Sequence, residues 1–317
     1  MENVKIIGCG YVKAQKKVTN FDLEKMVDTS NEWIVQRTGI QSRYLTEDQN
    51  TSTLAYLASI EAIKDAKIDA SSIDCILVAT TTPDCITPST ACLVQEKLGL
   101  NGQECTAFDI NAACSGFVYG LNMASMLLEQ YKTILVIGAE TLSKIIDFKD
   151  RSTCILFGDG AGAVILKQSD ESKMIAYTKS KGDVNGVLTC KGRTLKDNPE
   201  QTSYLEMDGK EVFRYAIEAM PDSIEHVLKK ANKKVEDIDL FIPHQANIRI
   251  IQHVAKKMKV DMNRFYVNLD EFGNTSSASI AIALAQAKEK GILKKGQKIV
   301  LTGFGAGFTS GAVYIEW

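Results

Sequence analysis

The stretch DINAACSGFVYGL, residues 109–121, predicts a change from strand to helix, and this change indicates the class of the fold. Residues 109–111 predict the end of a β-strand, and from Phe117 onward small or apolar residues recur at helical spacing, at 117, 121, 124 and 128. Cys114 lies between the two, at or just before the first turn of the predicted helix. A strand followed directly by a helix is the building unit of α/β proteins.

Short apolar runs alternate with helical segments along the rest of the chain. The runs that predict strands are KIIGCG (5–10), CILVAT (75–80), KTILVIGAE (132–140), AVILK (163–167), DLFIPH (239–244) and KIVLTGFG (298–305). This alternation predicts an α/β fold with mainly parallel central strands.

Two coincidences of spacing indicate that the fold is duplicated. Ile73-Asp74 and Ile238-Asp239 each precede a predicted strand, and Gly138 and Gly303 each follow one. The same offset along the chain separates the two members of each pair, as expected when one half repeats the other.

The length of the chain also favours two halves over a single core. Its 317 residues exceed the roughly 250 to 300 at which a single hydrophobic core stops growing. We therefore predict an N-terminal half, residues 1–171, and a C-terminal half, residues 172–317. The polar segment 169–173 is the predicted join.

The composition is that of an ordinary globular protein. Hydrophobic residues make up 45% and charged residues 24%, and the formal net charge of -2 gives no general attraction to nucleic acid or to a membrane surface. The N-terminal sequence has no basic segment followed by a long apolar run, so we expect a cytoplasmic, reducing location. The 8 cysteines form no CxxC pair, which predicts mostly buried thiols and neither a zinc site nor a disulfide framework.

Two segments depart from the alternating pattern. The uncharged run from Ile110 to Leu128 has the length of a membrane span, but asparagine, serine and glycine interrupt it. We predict instead a helix that is buried on all sides. Between Lys181 and Lys210 the periodicity fails and glycine, aspartate, asparagine and proline accumulate, which predicts a long surface loop lining a binding site.

Cys114 is a candidate nucleophile because of its position and its small neighbours. At a helix N-terminus, unpaired N–H groups and the helix dipole favour an anion, so we expect the thiol pKa to be lowered by a unit or more from about 8.5. Alanine, serine and glycine on either side leave room for a substrate, and backbone N–H groups there can hold an oxyanion. The alternative is that Cys114 only fills space in the core.

Of the 3 histidines, only His244 lies where α/β proteins place ligands. It ends the strand DLFIP and is followed by the amides Gln245 and Asn247, at the carboxyl end of a predicted parallel strand. His226 and His253 fall inside helical segments, His253 beside an apolar stripe. The alternative for His244 is a capping role.

Asn274 follows the apparent strand RFYVNL and precedes an uncharged helix. Its amide can donate to an oxyanion without carrying charge, and the alternative is a turn or helix-capping residue. Two glycine-rich stretches, FGDGAGAVIL and TGFGAGFTSGAV, run into strands rather than helices. They therefore lack the context of a dinucleotide or Walker site, and we expect the glycines to allow close backbone approach around a buried site.

Five segments together resemble the β-ketoacyl-acyl-carrier-protein synthase III family of condensing enzymes. They are DTSNEWIVQRTGI (28–40), DINAACSGFVYGL (109–121), RSTCILFGDGAGA (151–163), FIPHQANIRI (241–250) and EFGNTSSASI (271–280). The resemblance spans essentially the whole chain. It implies the thiolase-like α/β fold, in which two similar βαβαβ halves form a five-layered αβαβα structure, usually as a homodimer.

The resemblance also implies a reaction. Cys114 takes an acyl group from acyl-CoA, and malonyl-acyl carrier protein then loses CO2 to give an enolate that attacks the acyl-Cys. His244 and Asn274 bind the malonyl thioester carbonyl, where neutral donors stabilise an enolate without protonating it. By this resemblance no metal, redox or other cofactor is needed.

The same resemblance assigns binding residues. Trp33, Arg37, Arg151 and Phe213 match the family's CoA contacts, with the adenine between Trp33 and Arg151, and Asn247 matches a contact to the pantetheine arm. An arginine plane and an indole face both suit a flat aromatic ring. The basic residues that match the carrier-protein docking surface are Arg214, Arg249, Lys256 and Lys257, for which ordinary solvated charges are the alternative.

The chain departs from the family pattern at three positions. Thr87 stands where many relatives have a Phe that closes the partner subunit's acyl pocket, which implies room for a longer or bulkier primer. Ala306, near Phe304 in the substrate-binding loop, replaces a common glycine and tolerates positive φ less well. Ser310 replaces a common Trp, with an effect that the sequence does not define.

Three other functions fit some of these residues. A thiolase-fold relative can use the same acyl-Cys for acyl transfer or for condensation in specialised metabolism. A cysteine hydrolase also has Cys, His and Asn in this order, but the motif around Cys114 differs from the protease pattern. A non-catalytic acyl-CoA-binding protein would not need all three residues.

Overall fold

We describe the protein from a computed structural model, which defines residues 2–192 and 203–317. The strands are β1 (Val4–Lys13), β2 (Lys16–Thr19), β3 (Ser42–Leu45), β4 (Cys75–Ala79), β5 (Thr106–Ile110), β6 (Thr133–Glu140), β7 (Gly160–Gln168), β8 (Met174–Ser180), β9 (Leu188–Cys190), β10 (Leu205–Met207), β11 (Leu240–Pro243), β12 (Lys298–Gly305) and β13 (Thr309–Glu316). The helices are α1 (Asn20–Leu23), α2 (Asn31–Thr38), α3 (Thr51–Ala66), α4 (Thr90–Lys97), α5 (Gly116–Leu127), α6 (Gly209–Lys230), α7 (Ile248–Met258), α8 (Leu269–Phe272) and α9 (Ala278–Glu289).

Two sheets carry the fold, and the second repeats the first. The strand orders are β1-β7-β6-β4-β5 and β8-β13-β12-β11. β4 pairs parallel with β6, and β11 pairs parallel with β12. The pairs β1–β7 and β7–β6 of the first sheet are antiparallel, and so are the corresponding pairs β8–β13 and β13–β12 of the second. Each predicted strand run is therefore a strand, and the predicted join at 169–173 lies between β7 and β8.

The prediction of mainly parallel strands is wrong, because antiparallel pairs join β1, β7 and β6, and likewise β8, β13 and β12. The short 306–308 turn between β12 and β13 permits only antiparallel pairing. The prediction that RFYVNL forms a strand is also wrong, because this segment makes only one isolated bridge, between Phe265 and Phe241. There the Gln245 side chain accepts the hydrogen bond of the Asn268 N–H, so that N–H is not free for a ladder.

The two sheets and their helices form five layers. α5 and α9 lie in the middle and pack against both sheets in one core cluster. α3 and α4 cover the outer face of the first sheet, and α6 and α7 cover that of the second. The αβαβα layering follows from three apolar clusters, one between the sheets and one outside each of them.

Several burial predictions need correction. Positions 117, 121, 124 and 128 are all buried, but Met126 in α5 is 54% exposed, so this helix is not buried on all sides as predicted. Cys85, Cys92 and Cys190 are exposed, so fewer thiols are buried than predicted. Within the described residues no helix is both long and apolar enough to cross a membrane.

Only part of the predicted 181–210 loop can be described. β9 and β10 pair antiparallel within it, and Leu188 and Leu205 from these two strands line the cavity that contains Cys114. Residues 193–202, which include the whole LKDNPEQ segment (195–201) of this predicted loop, lie outside the described residues. The described part of the loop therefore does line the candidate site, as predicted.

Candidate active site

Cys114 lies where the sequence placed it, at the start of α5. β5 ends at Ile110, a 3-10 turn covers Ala113–Ser115, and α5 begins at Gly116. Ala113 has a left-handed φ of 46°, a sparsely populated conformation for a residue with a β-carbon. The turn also lies against β12, because a β-carbon built at Gly305 would come within 2.7 Å of the Cys114 backbone nitrogen. Glycine at 305 is therefore required for this approach, as expected from the glycine-rich stretch.

Cys114 opens into a cavity of about 310 Å³. Much of the wall is apolar and comes from Leu142, Ile145, Phe157, Leu188 and Leu205. Polar groups are few, which suits an acyl chain better than a polar substrate.

A larger groove, of about 790 Å³, runs along β1 between α3 and α9. Its charged groups pair with one another, Asp65 with Lys288 at 2.5 Å and the Tyr11 hydroxyl with Glu289 at 2.7 Å. The candidate nucleophile Cys114 lines the smaller cavity and not this groove.

The prediction of a lowered thiol pKa is wrong. Burial raises the pKa of Cys114 to about 12, and the charge of Glu140 acts in the same direction. A hydrogen bond from Ser276 and one from the backbone lower it, but they do not offset the desolvation of a fully buried sulfur. The resting nucleophile is therefore a thiol.

His244 follows β11 directly and is buried, at 1% exposure. Its Nδ1 lies 2.6 Å from the Ser279 hydroxyl oxygen. Its Nε2 is buried without a hydrogen-bond partner in the described part of the chain. Burial lowers the pKa of His244 to about 3, so the imidazole is neutral at physiological pH and one ring nitrogen is available to a ligand.

Asn274 is held by its backbone and its side chain. Its N–H donates to the Leu156 carbonyl at 2.8 Å, and its carbonyl accepts from Gly158 at 3.0 Å. The Ser276 N–H donates to its Oδ1 at 2.9 Å, which fixes the amide plane. Among the described residues its Nδ2 makes no hydrogen bond, so this nitrogen is the free donor of the side chain.

The three candidates converge on one place. A β-carbon built at Gly303 would lie 3.6 Å from the β-carbon of His244 and 3.7 Å from the Cys114 carbonyl oxygen. Ser276, which holds Asn274, lines the same cavity as Cys114. Phe304 is buried and meets the His244 ring edge to face, with ring centroids 5.3 Å apart.

Sequence reasoning missed three side chains at this site: Ser276, Ser279 and Glu140. The run of hydroxyls after Asn274, TSSAS, was the available signal for the two serines. The Gln245 amide, next to His244, donates to the Pro243 and Tyr266 carbonyls. This amide secures the backbone on either side of His244.

Four of the five predicted CoA contacts lie together near α2. The Arg151 guanidinium lies 4.9 Å from the centre of the Trp33 ring and that of Arg37 lies 6.0 Å away. The Asn247 amide donates to the Arg37 carbonyl. Because Arg151 already stacks on Trp33, a base between them requires Arg151 to move. Phe213 is half-buried on α6 and contacts His253.

The four predicted docking residues are exposed on α6 and α7. Arg214 pairs with Glu211 at 2.9 Å, and the Lys257 amine donates to the Ile217 carbonyl at 3.4 Å. Arg249 and Lys256 form no ion pair with any residue that the structure describes. Those two charges remain available to an acidic partner.

The three departures occupy different environments. Thr87 is exposed and is not part of the wall of its own chain's cavity. Ala306 lines the cavity but has no positive φ, so the strain expected for alanine there is absent. Ser310 is buried in β13.

Family and structural comparisons agree with this geometry. Residues 108–183 match the family model of 3-oxoacyl-[acyl-carrier-protein (ACP)] synthase III, and residues 228–317 match its C-terminal model. The chain is 50% identical to a β-ketoacyl-[acyl-carrier-protein] synthase III of Clostridium novyi, over 100% of both chains.

Two solved structures are similar over nearly all of the chain. The 3-oxoacyl-[acyl-carrier-protein] synthase III of Aquifex aeolicus is 42% identical with a TM-score of 0.93, covering 99% of this chain and 100% of that one. The priming β-ketosynthase of the R1128 polyketide biosynthetic pathway is 32% identical with a TM-score of 0.92, covering 98% and 94%.

Proposed function

The chain belongs to the 3-oxoacyl-[acyl-carrier-protein] synthase III family, and from that premise we propose that it condenses an acyl-CoA primer with malonyl-acyl carrier protein. This reaction initiates type II fatty-acid synthesis. The observation that carries the proposal is a buried thiol in an apolar cavity, close to a neutral His244 and to Asn274. Among the described residues, Nε2 of His244 and Nδ2 of Asn274 have no hydrogen-bond partner. Cys114, His244 and Asn274 are its catalytic residues.

In the first half-reaction the Cys114 sulfur attacks the thioester carbonyl. A bond forms from sulfur to the acyl carbon, the bond to the CoA sulfur breaks, and the thiol proton leaves with CoA. Because Cys114 is a thiol at rest, this proton must be lost as the sulfur attacks. The apolar cavity holds the acyl chain. Trp33, Arg37, Arg151, Phe213 and Asn247 hold the CoA.

In the second half-reaction malonyl-acyl carrier protein loses CO2. The electrons of the broken carbon–carbon bond pass to the thioester oxygen as an enolate, which His244 and Asn274 stabilise by hydrogen bonds. The enolate carbon then attacks the acyl-Cys, and the Cys114 sulfur leaves and regains a proton. Neutral donors suit this step because a nearby cationic acid would protonate the enolate carbon.

We further propose that the protein acts as a homodimer. β5 is the edge strand of its sheet, residues 107–110 of it are only half-buried, and Ile86, in the loop between β4 and α4, is 99% exposed. An unpaired strand with apolar neighbours is a ready surface for a second copy. We propose that Thr87 then acts on the partner's acyl cavity, as the resemblance to the family implies.

The test is intact-mass spectrometry of the protein with a panel of acyl-CoAs, followed by malonyl-acyl carrier protein. We expect an acyl adduct on Cys114 that is lost, with release of CO2, as β-ketoacyl-carrier protein appears. The Cys114→Ala variant should form no adduct, whereas Cys92→Ala, which removes an exposed thiol, should behave as wild type. An adduct that malonyl-acyl carrier protein leaves in place, but that transfers to another nucleophile, would contradict the proposal.

The second candidate is priming in specialised metabolism, which the likeness to the R1128 priming ketosynthase favours. The chemistry at Cys114 would be the same and the carrier protein would differ. Offering malonyl groups on fatty-acid and polyketide carrier proteins in competition separates the two, since the physiological carrier should give the higher kcat/KM.

A further inference from the structure

Ser279 is a buried serine in the second position of α9 that touches His244. Its hydroxyl oxygen lies 2.6 Å from Nδ1 of His244. The backbone N–H of Gln245 points to the same oxygen at a longer 3.5 Å. The residue has no assigned role in the reaction proposed above.

The hydrogen count decides the direction of the short contact. A serine hydroxyl has one proton, and a buried hydroxyl proton requires an acceptor. In the part of the chain that the structure describes, the Ser279 hydroxyl makes no other hydrogen bond, and the Gln245 N–H can only donate to it. The proton of Ser279 is therefore directed to Nδ1, which accepts.

We propose that Ser279 is a positioning residue that holds His244 in the tautomer with the proton on Nε2. The partner of one ring nitrogen of a neutral histidine determines where its proton lies. With Nδ1 accepting, the buried and unpartnered Nε2 becomes a hydrogen-bond donor. This inference rests on the proposed function, in which that donor meets the malonyl thioester oxygen.

The arrangement gives both candidate donors the same kind of support. The Ser276 N–H occupies the acceptor oxygen of Asn274, so the Asn274 NH2 is the end left free. The Ser279 hydroxyl occupies the acceptor nitrogen of His244 in the same way. One segment, residues 274–279, thus directs two neutral donors to one site. In this tautomer His244 cannot take the Cys114 proton at Nε2, so it serves the malonyl half-reaction alone.

The tautomer can be measured without any substrate, by NMR of the full-length protein labelled with ¹⁵N at histidine. His226 is an internal reference for the opposite tautomer, because its Nδ1 lies 2.7 Å from the Asp222 carbonyl oxygen, which can only accept. Spectra of His226→Gln and His253→Gln variants assign the signals. At a pH where all three rings are neutral, we expect a protonated Nε2 and an unprotonated Nδ1 for His244. A protonated Nδ1 would overturn the proposal, whatever the enzyme's activity.

Kinetics of Ser279→Ala test the consequence. We expect acyl-Cys formation at the wild-type rate and a fall in the condensation kcat of at least about tenfold, with little change in KM for malonyl-acyl carrier protein. Ser279→Thr keeps the hydroxyl and should recover much of the loss. Ser223→Ala is the matched control, because it removes a buried serine hydroxyl on α6 that has no hydrogen-bond partner among the described residues.

The two proposals fail in different ways. Unchanged condensation by Ser279→Ala, or equal loss in both half-reactions, would contradict the role of Ser279. Absence of acyl-Cys or of condensation in the wild-type enzyme would contradict the proposed function and leave the tautomer measurement standing. If Ser279→Ala does not fold, the wild-type spectrum still decides the tautomer.

Discussion

At the scale of single residues, Cys114 is governed by two opposing influences. The start of α5 provides a dipole and N–H groups that favour a thiolate, while complete burial penalises the charge. Burial dominates, since the pKa of Cys114 is raised to about 12. A thiol that is protonated at rest reacts slowly with alkylating and oxidising agents, because the thiolate is the reactive form.

The pH dependence of alkylation tests this balance. Below a pKa of about 12 the thiolate fraction rises about tenfold per pH unit, so the rate at which iodoacetamide modifies Cys114 should climb steadily up to about pH 10. Peptide mass spectrometry follows Cys114 separately from the exposed Cys85, Cys92 and Cys190, which serve as references. A rate that levels off near pH 7 would mean that the helix terminus dominates.

The sequence predicted the candidate residues better than their state. Cys114 and His244 were found because each lies at the carboxyl end of a strand, a position that local patterns define. The pKa of Cys114 was wrong because burial depends on β12 and α9, which are remote in the chain. Ser276 and Ser279 were missed because a serine near a helix start is by default a cap, and only the folded contact with His244 reveals another role.

At the scale of elements, Glu140 joins three segments around the site. It ends β6 and is fully buried, and burial raises its pKa while hydrogen bonds from Thr82 and Ser277 lower it. It accepts from the Thr82 hydroxyl and from the Ser277 hydroxyl, each at 2.7 Å, and from the Thr81 hydroxyl at 2.9 Å. One side chain thereby ties the 80–82 segment to the start of α9.

Replacement of Glu140 should therefore loosen this junction. Glu140→Ala leaves buried hydroxyls and the Thr81 N–H without an acceptor, at a cost of about 1–3 kcal/mol for each unsatisfied group. We expect the free energy of unfolding to fall by about 3 kcal/mol or more, measured by urea denaturation at fixed protein concentration. Glu140→Gln keeps one acceptor and should lose less than half as much. Equal stability of Glu140→Ala and wild type would show that the network contributes nothing.

Elements with a strong local signal were predicted, and those defined by tertiary contacts were not. The predicted strand runs are strands because fully buried strands are apolar whatever their neighbours do. RFYVNL has the same apolar character, but Asn268 bonds to the Gln245 side chain and α8 begins at Leu269, which interrupts the strand. The direction of pairing was also mispredicted, because for most strands it depends on which strands become neighbours.

At the scale of the whole molecule, two of the proposed catalytic groups follow strands of different sheets. Cys114 follows β5 of the first sheet, whereas His244 follows β11 of the second. The duplication itself was visible in the sequence as equal offsets between strand boundaries. Thr87 is exposed and lies outside its own chain's cavity wall, so any action of Thr87 on an acyl cavity requires the proposed partner subunit.

Mixed dimers test whether Thr87 acts on the partner. We expect Thr87→Phe to shift primer preference toward shorter acyl-CoAs, because Phe fills space that Thr leaves open. In a dimer of a Thr87→Phe subunit with a Cys114→Ala subunit, the one active Cys114 faces the Thr87 of its partner, so the preference should stay wild-type. When one subunit carries both changes and the other is wild type, the active Cys114 faces the new Phe and the preference should shift. Differently tagged subunits allow each mixed dimer to be purified, and acyl-CoA competition followed by intact-mass spectrometry measures the preference.

The opposite pattern would place Thr87 at its own chain's cavity, and failure to form mixed dimers at all would contradict the proposed homodimer.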